Sequence, residues 1–371
     1  VAHVVKDSRD GRWLARWRDP SHRQRKKSFR RKVDAERFLA NLEAEMNRGQ
    51  YLDPSAGKVL VGDYARVWAA GLSHLKESTA ERYRGIVRTH VEPRWGTYRL
   101  SSVATSDVAA WVGELSASGR TASTVRHIHR VFSLIMGMAV QDGRIARNPA
   151  TGVRLPRAVR DEPRFLSVPE LAALVQSAGP GGLVICVLAF TGIRFGEMTA
   201  LRVSRVDLER RRLHIVESAS EVGGRLVWST TKNHQTRSVP VPPALIPDLA
   251  RMCEEKQPAD LVFASPTGSP MRLGNWRHRV FDPACATAGI TGLTPHDLRH
   301  TAASLAIAAG ANVKAVQRML GHSSAAMTLD VYAGLFGDDL DSVAALLDSH
   351  VPQMRHITET EARSGGHDDA A

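Results

Sequence analysis

The stretch Thr294-Pro-His-Asp-Leu-Arg-His300, with Leu320-Gly-His322 and Tyr332 beyond it, gathers reactive and cationic side chains into about forty residues of largely helical pattern. His296 and Arg299 are three apart and so share one helix face. Thr294-Pro295 ahead of them makes a good helix start, because Pro has no N–H to lose in a first turn. Gly310 and Gly321 then interrupt the pattern, so His322 is expected at a helix end where its ring can face a cleft. A Tyr, an Arg and donor groups of this kind suit phenoxide attack on a phosphate diester, with fixed positive charge holding the doubly charged transition state. Each residue also has a plainer reading. A Tyr in a helix is commonly packed, its hydroxyl satisfied by a neighbour. His296 and His300 are four apart, a spacing that also suits zinc, yet no Cys lies near and Arg299 stands between them.

Length and composition narrow the setting. At 371 residues the chain is too long for one ordinary core, which predicts two or three domains. An apolar share of 43% describes a folded chain. The net charge of +12 and pI of about 10.1 point to a polyanionic partner, nucleic acid before membrane. The apolar run Leu183–Phe190 is too short to span a bilayer, and no signal-peptide pattern precedes residue 20. Cys186, Cys253 and Cys285 are odd in number and scattered, so no disulfide framework is expected and a reducing, cytoplasmic compartment is.

Residues 1–32 hold 12 Lys/Arg against 3 acidic residues, so much of the excess charge sits at one end. Strand alternation puts Trp13, Ala15 and Trp17 on one face and Arg12, Leu14, Arg16 and Arg18 on the other. Asp19-Pro20-Ser21 reads as a turn and Gln24–Arg30 as the returning strand, followed by a helix with Phe38, Leu39, Leu42 and Met46 on one side. A basic sheet backed by one helix is a groove reader, with Arg12, Arg16, Arg18, Arg25, Lys26 and Lys27 as candidate DNA contacts. After a linker at 50–58, four helices are expected to about residue 143: Val61–Ala70, one opened by Ser78–Glu81 as a capping box, Val108–Leu115 capped by Thr105 or Ser106, and Ser123–Val140. Arg82 and Arg126 are candidate DNA contacts on this all-α surface. Asn148–Arg157 reads as a second linker, and from Phe165 the pattern is mixed α and β. A capping box at Ser167–Glu170, a buried helix at Leu183–Phe190, strands at Val206–Leu208, Leu213–Glu217, Leu226–Ser229 and Arg237–Val241, and a last helix near Asp338–Ser349 are expected there. The domain ranges are 1–52, 58–150 and 163–350, with a polar, disordered tail at 351–371.

Two further stretches belong with the carboxy-terminal cluster. Thr191-Gly-Ile-Arg-Phe-Gly-Glu197 sets Arg194 after a glycine turn, its fork available to phosphate oxygens, with Glu197 able to orient it. Thr231–Pro240 reads as a β-turn with Lys232 near its tip, able to protonate a leaving oxygen. The ordered set Arg194, Lys232, His296, Arg299, His322 and Tyr332 resembles the tyrosine recombinase family, the phage-type integrases, over about 170 residues. Ile193 and Asn233 are mild departures that remove no catalytic group. The resemblance implies a multidomain fold: a small amino-terminal sheet-plus-helix arm-binding domain, an all-α core-binding domain, and a mixed α+β, mainly α, catalytic domain.

It also implies a site-specific recombinase that cleaves and rejoins DNA through a 3′-phosphotyrosine and a Holliday junction, integrating and with helper factors excising a phage or mobile element. Tyr332 would be the nucleophile, Arg194 and Arg299 the phosphate clamp and Lys232 the general acid. His296 and His322 would bond the phosphate, and His296 could help deprotonate Tyr332. No cofactor, metal or ATP is implied. The implied partners are double-stranded attachment-site DNA, a homotetramer on that DNA, a host DNA-bending protein and an excision factor. The implied location is the cytoplasm and nucleoid of a bacterial host. A type IB topoisomerase shares the chemistry but not the extra basic domain. A non-catalytic regulator would not keep every catalytic group. A metal nuclease could recruit Asp207 and Glu217, but it needs a carboxylate cluster.

Overall fold

The computed structural model describes residues 2–19, 22–47, 53, 55–158, 163–230, 236–265, 267–335 and 347–348. The chain divides into two compact units, Val1–Arg160 and Asp161–Ala371.

The first unit opens with an antiparallel sheet, β1 (His3–Lys6), β2 (Trp13–Arg18) and β3 (Gln24–Phe29), in that order, covered by α1 (Lys32–Asn47). Trp13–Trp17 and Gln24–Phe29 form the expected pair of strands, and β1 is an addition. Ala15 is fully buried and lets the helix approach, with Trp17 stacked edge-on to Phe38 at 5.4 Å between centroids. Asp19 fixes the register: its carboxylate accepts from the Arg23 backbone N–H at 2.8 Å and from Arg25 Nε at 3.0 Å. So small a core is marginal, and each fully buried large side chain contributes roughly 1.5–3 kcal/mol.

A second cluster is built by α2 (Val61–Ala70), α3 (Glu77–Ile86), a π-helical turn (Val87–Val91), α4 (Glu92–Trp95), α5 (Thr105–Ala117) and α6 (Ala122–Gln141). Trp95, Trp111 and Phe132 pack at its centre with centroids 5.2–5.6 Å apart. Two expected caps are replaced. α3 begins at Glu77, ahead of Ser78, with no side-chain cap. At α5 neither Thr105 nor Ser106 caps; the Asp107 carboxylate takes the Ala104 N–H at 3.3 Å.

The second unit begins with α7 (Val168–Ser177), opened by the expected Ser167–Glu170 capping box. α8 (Gly182–Thr191) is buried on nearly all sides and ends on left-handed Gly192. α9 (Phe195–Thr199) leads to five strands: β4 (Val206–Asp207), β5 (Arg212–Ile215), β6 (Glu217–Val222), β7 (Arg225–Thr230) and β8 (Arg237–Pro240). The expected single small sheet is two. β4-β5-β8 form one and β6-β7 a hairpin, because the run Leu213–Glu217 breaks at Val216. α10 (Ile246–Cys253), α11 (Leu273–Trp276), a second π turn (Arg277–Phe281), α12 (Asp282–Thr287), α13 (Asp297–Ala308), α14 (Val313–Leu320) and α15 (Ala325–Tyr332) follow. Both π turns end just before an X-Pro pair, Glu92-Pro93 and Asp282-Pro283, where the proline disfavours a tight helix at the preceding residue. The expected last helix at Asp338–Ser349, apart from Leu347 and Asp348, and the tail at 351–371 lie outside the described residues. Among the described residues no helix is long and apolar enough to cross a membrane.

Candidate active site

Two helices end on this site, and one arginine reads both ends. α8 stops at Gly192 (φ +65°) and α14 at Gly321 (φ +67°), conformations a side chain would strain. A Cβ on Gly192 would also lie 2.7 Å from Leu320 Cδ2, so the two helix ends touch. Arg299, on the first turn of α13 and 3% exposed, donates from Nη1 to the Gly192 carbonyl and from Nη2 to the Leu320 carbonyl, both at 2.6 Å. Its cation thus sits where two helix dipoles present their negative ends, worth roughly 0.3–2 kcal/mol each. Burial first, and then Arg194, lower its pKa to about 9, which keeps it charged at neutral pH.

Arg194 follows Gly192 at the cap of α9, one-third exposed. Glu197, 2% exposed, accepts from the Arg194 backbone N–H at 2.8 Å and from its Nη1 at 2.9 Å. The same carboxylate takes both terminal nitrogens of Arg237, at 3.0 and 2.6 Å. Burial alone would raise the Glu197 pKa; Arg237, followed by Arg194, more than offsets it, and the carboxyl titrates below the ordinary range. Arg237 Nε donates to the Met319 carbonyl at 3.0 Å, tying β8 to α14. Arg237 was absent from the sequence-derived set because its partners lie 40 and 82 residues away.

His322 follows Gly321 and is fixed by Gln317: its N–H donates to the Gln317 carbonyl, and the Gln317 side-chain amide donates to the His322 carbonyl, both at 3.1 Å. Its Nδ1 lies 3.0 Å from the Thr328 hydroxyl, which directs Nε2 elsewhere. Burial, then Arg299 and Arg194, push its pKa down to about 4, so the ring is neutral at pH 7. His296 stands at the start of α13, and burial first and the neighbouring His300 next lower its pKa as well. Ile193, Arg194, Arg277, Pro295, His296 and Arg299 are among the residues lining a cavity of about 250 Å³.

Tyr332 closes α15 and is 1% exposed, packed with Ala303, Ile307, Val316 and Leu320 and not lining that cavity. Burial raises its phenol to about 12 although Arg299 opposes this. Its hydroxyl lies 2.8 Å from His300 Nδ1, so the contact expected from His296 is made here by His300, whose ring meets His296 edge-on at 5.1 Å. His300 was considered at the sequence level only as half of a zinc spacing; a contact 32 residues along the chain carries no local signal. Lys232 falls at 231–235, outside the described residues. Strands β7 and β8, on either side of it in the chain, belong to different sheets. Asp207 accepts from the Arg210 N–H and Glu217 pairs with Arg202 at 2.9 Å. Among the described residues no three His, Cys, Asp or Glu side chains gather as a metal site.

The strand register divides the candidate DNA contacts of the first unit. Arg16 pairs with Lys26 and Arg18 with Gln24, so Arg16, Arg18 and Lys26 share the open face. Arg25 and Lys27 oppose Trp17 and Ala15 and therefore lie on the face that packs on α1, against expectation. Arg25 pairs with Asp19 and Asp53, and Lys27 Nζ sits 4.4 Å from the Phe38 centroid. Arg12 is exposed with Asp10 at 3.7 Å; Arg82 is exposed; Arg126, also exposed, donates to the Pro156 carbonyl at 3.2 Å.

Residues 170–336 match the phage integrase family model. The integrase of Mycobacterium phage D29 is 27% identical over 346 residues, covering 88% of this chain and 91% of its own length. A tyrosine recombinase XerC-like protein of Caldanaerobacter subterraneus subsp. tengcongensis is 25% identical over 334 residues, covering 78% and 85%. In fold, the chain is similar to the Tn1549 transposon integrase in complex with a circular intermediate DNA, with a TM-score of 0.68 at 20% identity over 78% of this chain and 99% of that one. It is also similar to a lambda integrase dimer bound to a COC′ core site, with a TM-score of 0.60 at 19% identity, covering 91% and 95%.

Proposed function

We propose that this chain, whose residues 170–336 match the phage integrase family model, is a tyrosine recombinase, a site-specific recombinase acting on duplex attachment sites. The observation that carries this reading is one cavity of about 250 Å³ lined by Arg194, His296 and Arg299, with Tyr332 held beside them on α15. Cations anchored before substrate arrives stabilise developing phosphate charge without reorganising, and removal of one such donor costs roughly 3–4 kcal/mol of transition-state stabilisation.

In this reading the Tyr332 hydroxyl attacks a backbone phosphate and forms a 3′-phosphotyrosine bond. Arg194 and Arg299 hold the non-bridging oxygens, and His296 and His322 donate to them. Lys232 protonates the departing 5′ oxygen. Arginine and lysine charge does the work that ions do in two-metal nucleases, and the covalent link conserves the bond energy, so neither metal nor ATP enters. Because the hydroxyl is buried, DNA binding must open a path from the phosphate in the cavity to Tyr332, which keeps its place beside α13. Exchange of two duplexes one strand at a time runs through a Holliday junction held by four protomers. Helper proteins that bend DNA or set direction act on that assembly, and the element moved is a phage or other mobile genome. The domains 1–52, 58–150 and 163–350 serve arm binding, core binding and catalysis.

The test uses nicked duplexes tiled across the DNA flanking the gene, incubated in EDTA and resolved on a denaturing gel. A labelled 3′ end joined to the wild-type protein and not to Tyr332→Phe is the expected result. Binding with no covalent band on any flanking fragment would overturn the reading in favour of a DNA-binding regulator.

A further inference from the structure

We infer that His300 is the base that takes the proton from Tyr332 as the phenol attacks, an assignment that rests on the recombinase reading above. Three observations carry it. His300 Nδ1 lies 2.8 Å from the Tyr332 hydroxyl, within direct proton-transfer reach. The phenol is enclosed: Tyr332 is 1% exposed and packs against Ala303 and Ile307 on the same helix as half-buried His300, so bulk water has little access to its proton. His296, the other candidate base, lines the cavity with Arg194 and Arg299 and meets His300 only edge-on at 5.1 Å, a position suited to the phosphate and not to the phenol.

The surroundings favour a neutral acceptor. Burial lowers the His300 pKa, Asp297 opposes this and Arg299 reinforces it, so the ring reaches the reaction unprotonated. A phenol raised to about 12 by burial does not ionise unaided at neutral pH, so the attack needs a base. The step balances. The Oη–H bond breaks and the proton joins the Nδ1 lone pair. The oxygen pair forms the bond to phosphorus, and the bond from phosphorus to the 5′ oxygen breaks with its electrons on that oxygen, which takes a proton from Lys232. On rejoining, His300 returns the proton to Tyr332 as the phenol leaves. Nothing is oxidised or reduced.

The experiment follows single-turnover formation of the covalent adduct by the full chain on nicked duplexes tiled from the flanking DNA. His300→Gln and His296→Ala are each prepared with either tyrosine or a fluorinated, more acidic tyrosine at position 332. Gln keeps a hydrogen-bonding group beside the phenol but cannot serve as a base. With ordinary tyrosine, His300→Gln should slow the adduct roughly 100-fold or more, the range for a lost general base. The acidic phenol should recover most of that loss and none of the loss in His296→Ala. Two results would overturn the assignment: no recovery in His300→Gln, as a purely positioning role predicts, or recovery in His296→Ala instead. Should His300→Gln not fold, nitrogen-15 imidazole spectra of the wild type decide. A lone pair at Nδ1 sustains the assignment, and an N–H at Nδ1 donating to the phenol overturns it. A wild type that forms no adduct on any fragment refutes the recombinase reading, and the assignment falls with it.

Discussion

The amino-terminal sheet and the carboxy-terminal cluster both gather cations, and they hold them in opposite ways. Arg16, Arg18 and Lys26 project from an open strand face. Arg299 is 3% exposed with two carbonyls at 2.6 Å, and Arg237 is spread across Glu197 and a helix end. A mobile surface cation attracts a polyanion at long range but pays side-chain entropy on contact. A buried, anchored cation has lost that entropy on folding and meets the transition state already aimed. Under the proposed function, the first arrangement supplies affinity and the second supplies rate.

Substitutions should separate the two. Arg299→Ala is expected to have the largest effect, leaving the Gly192 and Leu320 carbonyls unsatisfied beside a void. It should lose about 3–5 kcal/mol of stability in urea titrations, against less than about 0.5 kcal/mol for Arg16→Ala. An Arg299→Ala protein as stable as wild type would show the carbonyl anchors to be idle. Glu197→Gln should cost about 2–3 kcal/mol, since two arginines lose the charge they share.

Acid should act on the cluster through His322. His322 has a folded pKa of about 4 against an ordinary 6.5, so between those values the unfolded chain binds a proton that the folded chain refuses. Stability should therefore fall as pH drops from about 6.5 towards 4, by on the order of 2 kcal/mol after discounting for a part-exposed ring, and should not change on this account above pH 7. Replacing His322 by Asn should remove its share of that profile and leave the share of His296 and His300. The smallest effect tests the sheet itself. Lys26→Ala should reduce the slope of log affinity against log salt by about 1, whereas Lys27→Ala should leave the slope intact and cost about 0.5–1 kcal/mol of packing. Equal slopes would mean that the strand register does not select the contacting face.

The legible parts of the fold were those written in local chemistry. Gly192 and Gly321 announced the ends of α8 and α14, and Ser167 with Glu170 announced the start of α7. The Ser78–Glu81 pattern is the same kind of signal and failed, because its helix begins one residue upstream of the proposed cap. Sidedness of β3 was written in one residue: Gln24–Ser28 is polar at every position, but Phe29 packs on Phe38 with centroids 5.3 Å apart, and alternation puts Lys27 and Arg25 on its side. At the site, His296, Arg299, His322 and Arg194 could be named from motif and spacing. His300 and Arg237 could not be given their places, because their partners are reached across the fold.

Arg299 is fastened by main-chain carbonyls, and that fact bears on heredity. No codon change can delete a peptide oxygen. The anchor at Leu320 therefore survives a change of side chain there, since what Arg299 binds is the peptide oxygen. The lesions that matter are of another kind: a residue gained or lost in the turns at 192 or 321, or any Cβ at those two glycines, where Leu320 and Arg237 stand 2.7 and 2.9 Å from where it would be. Gene lineages of this protein should resist insertions at the two turns whose carbonyls hold Arg299.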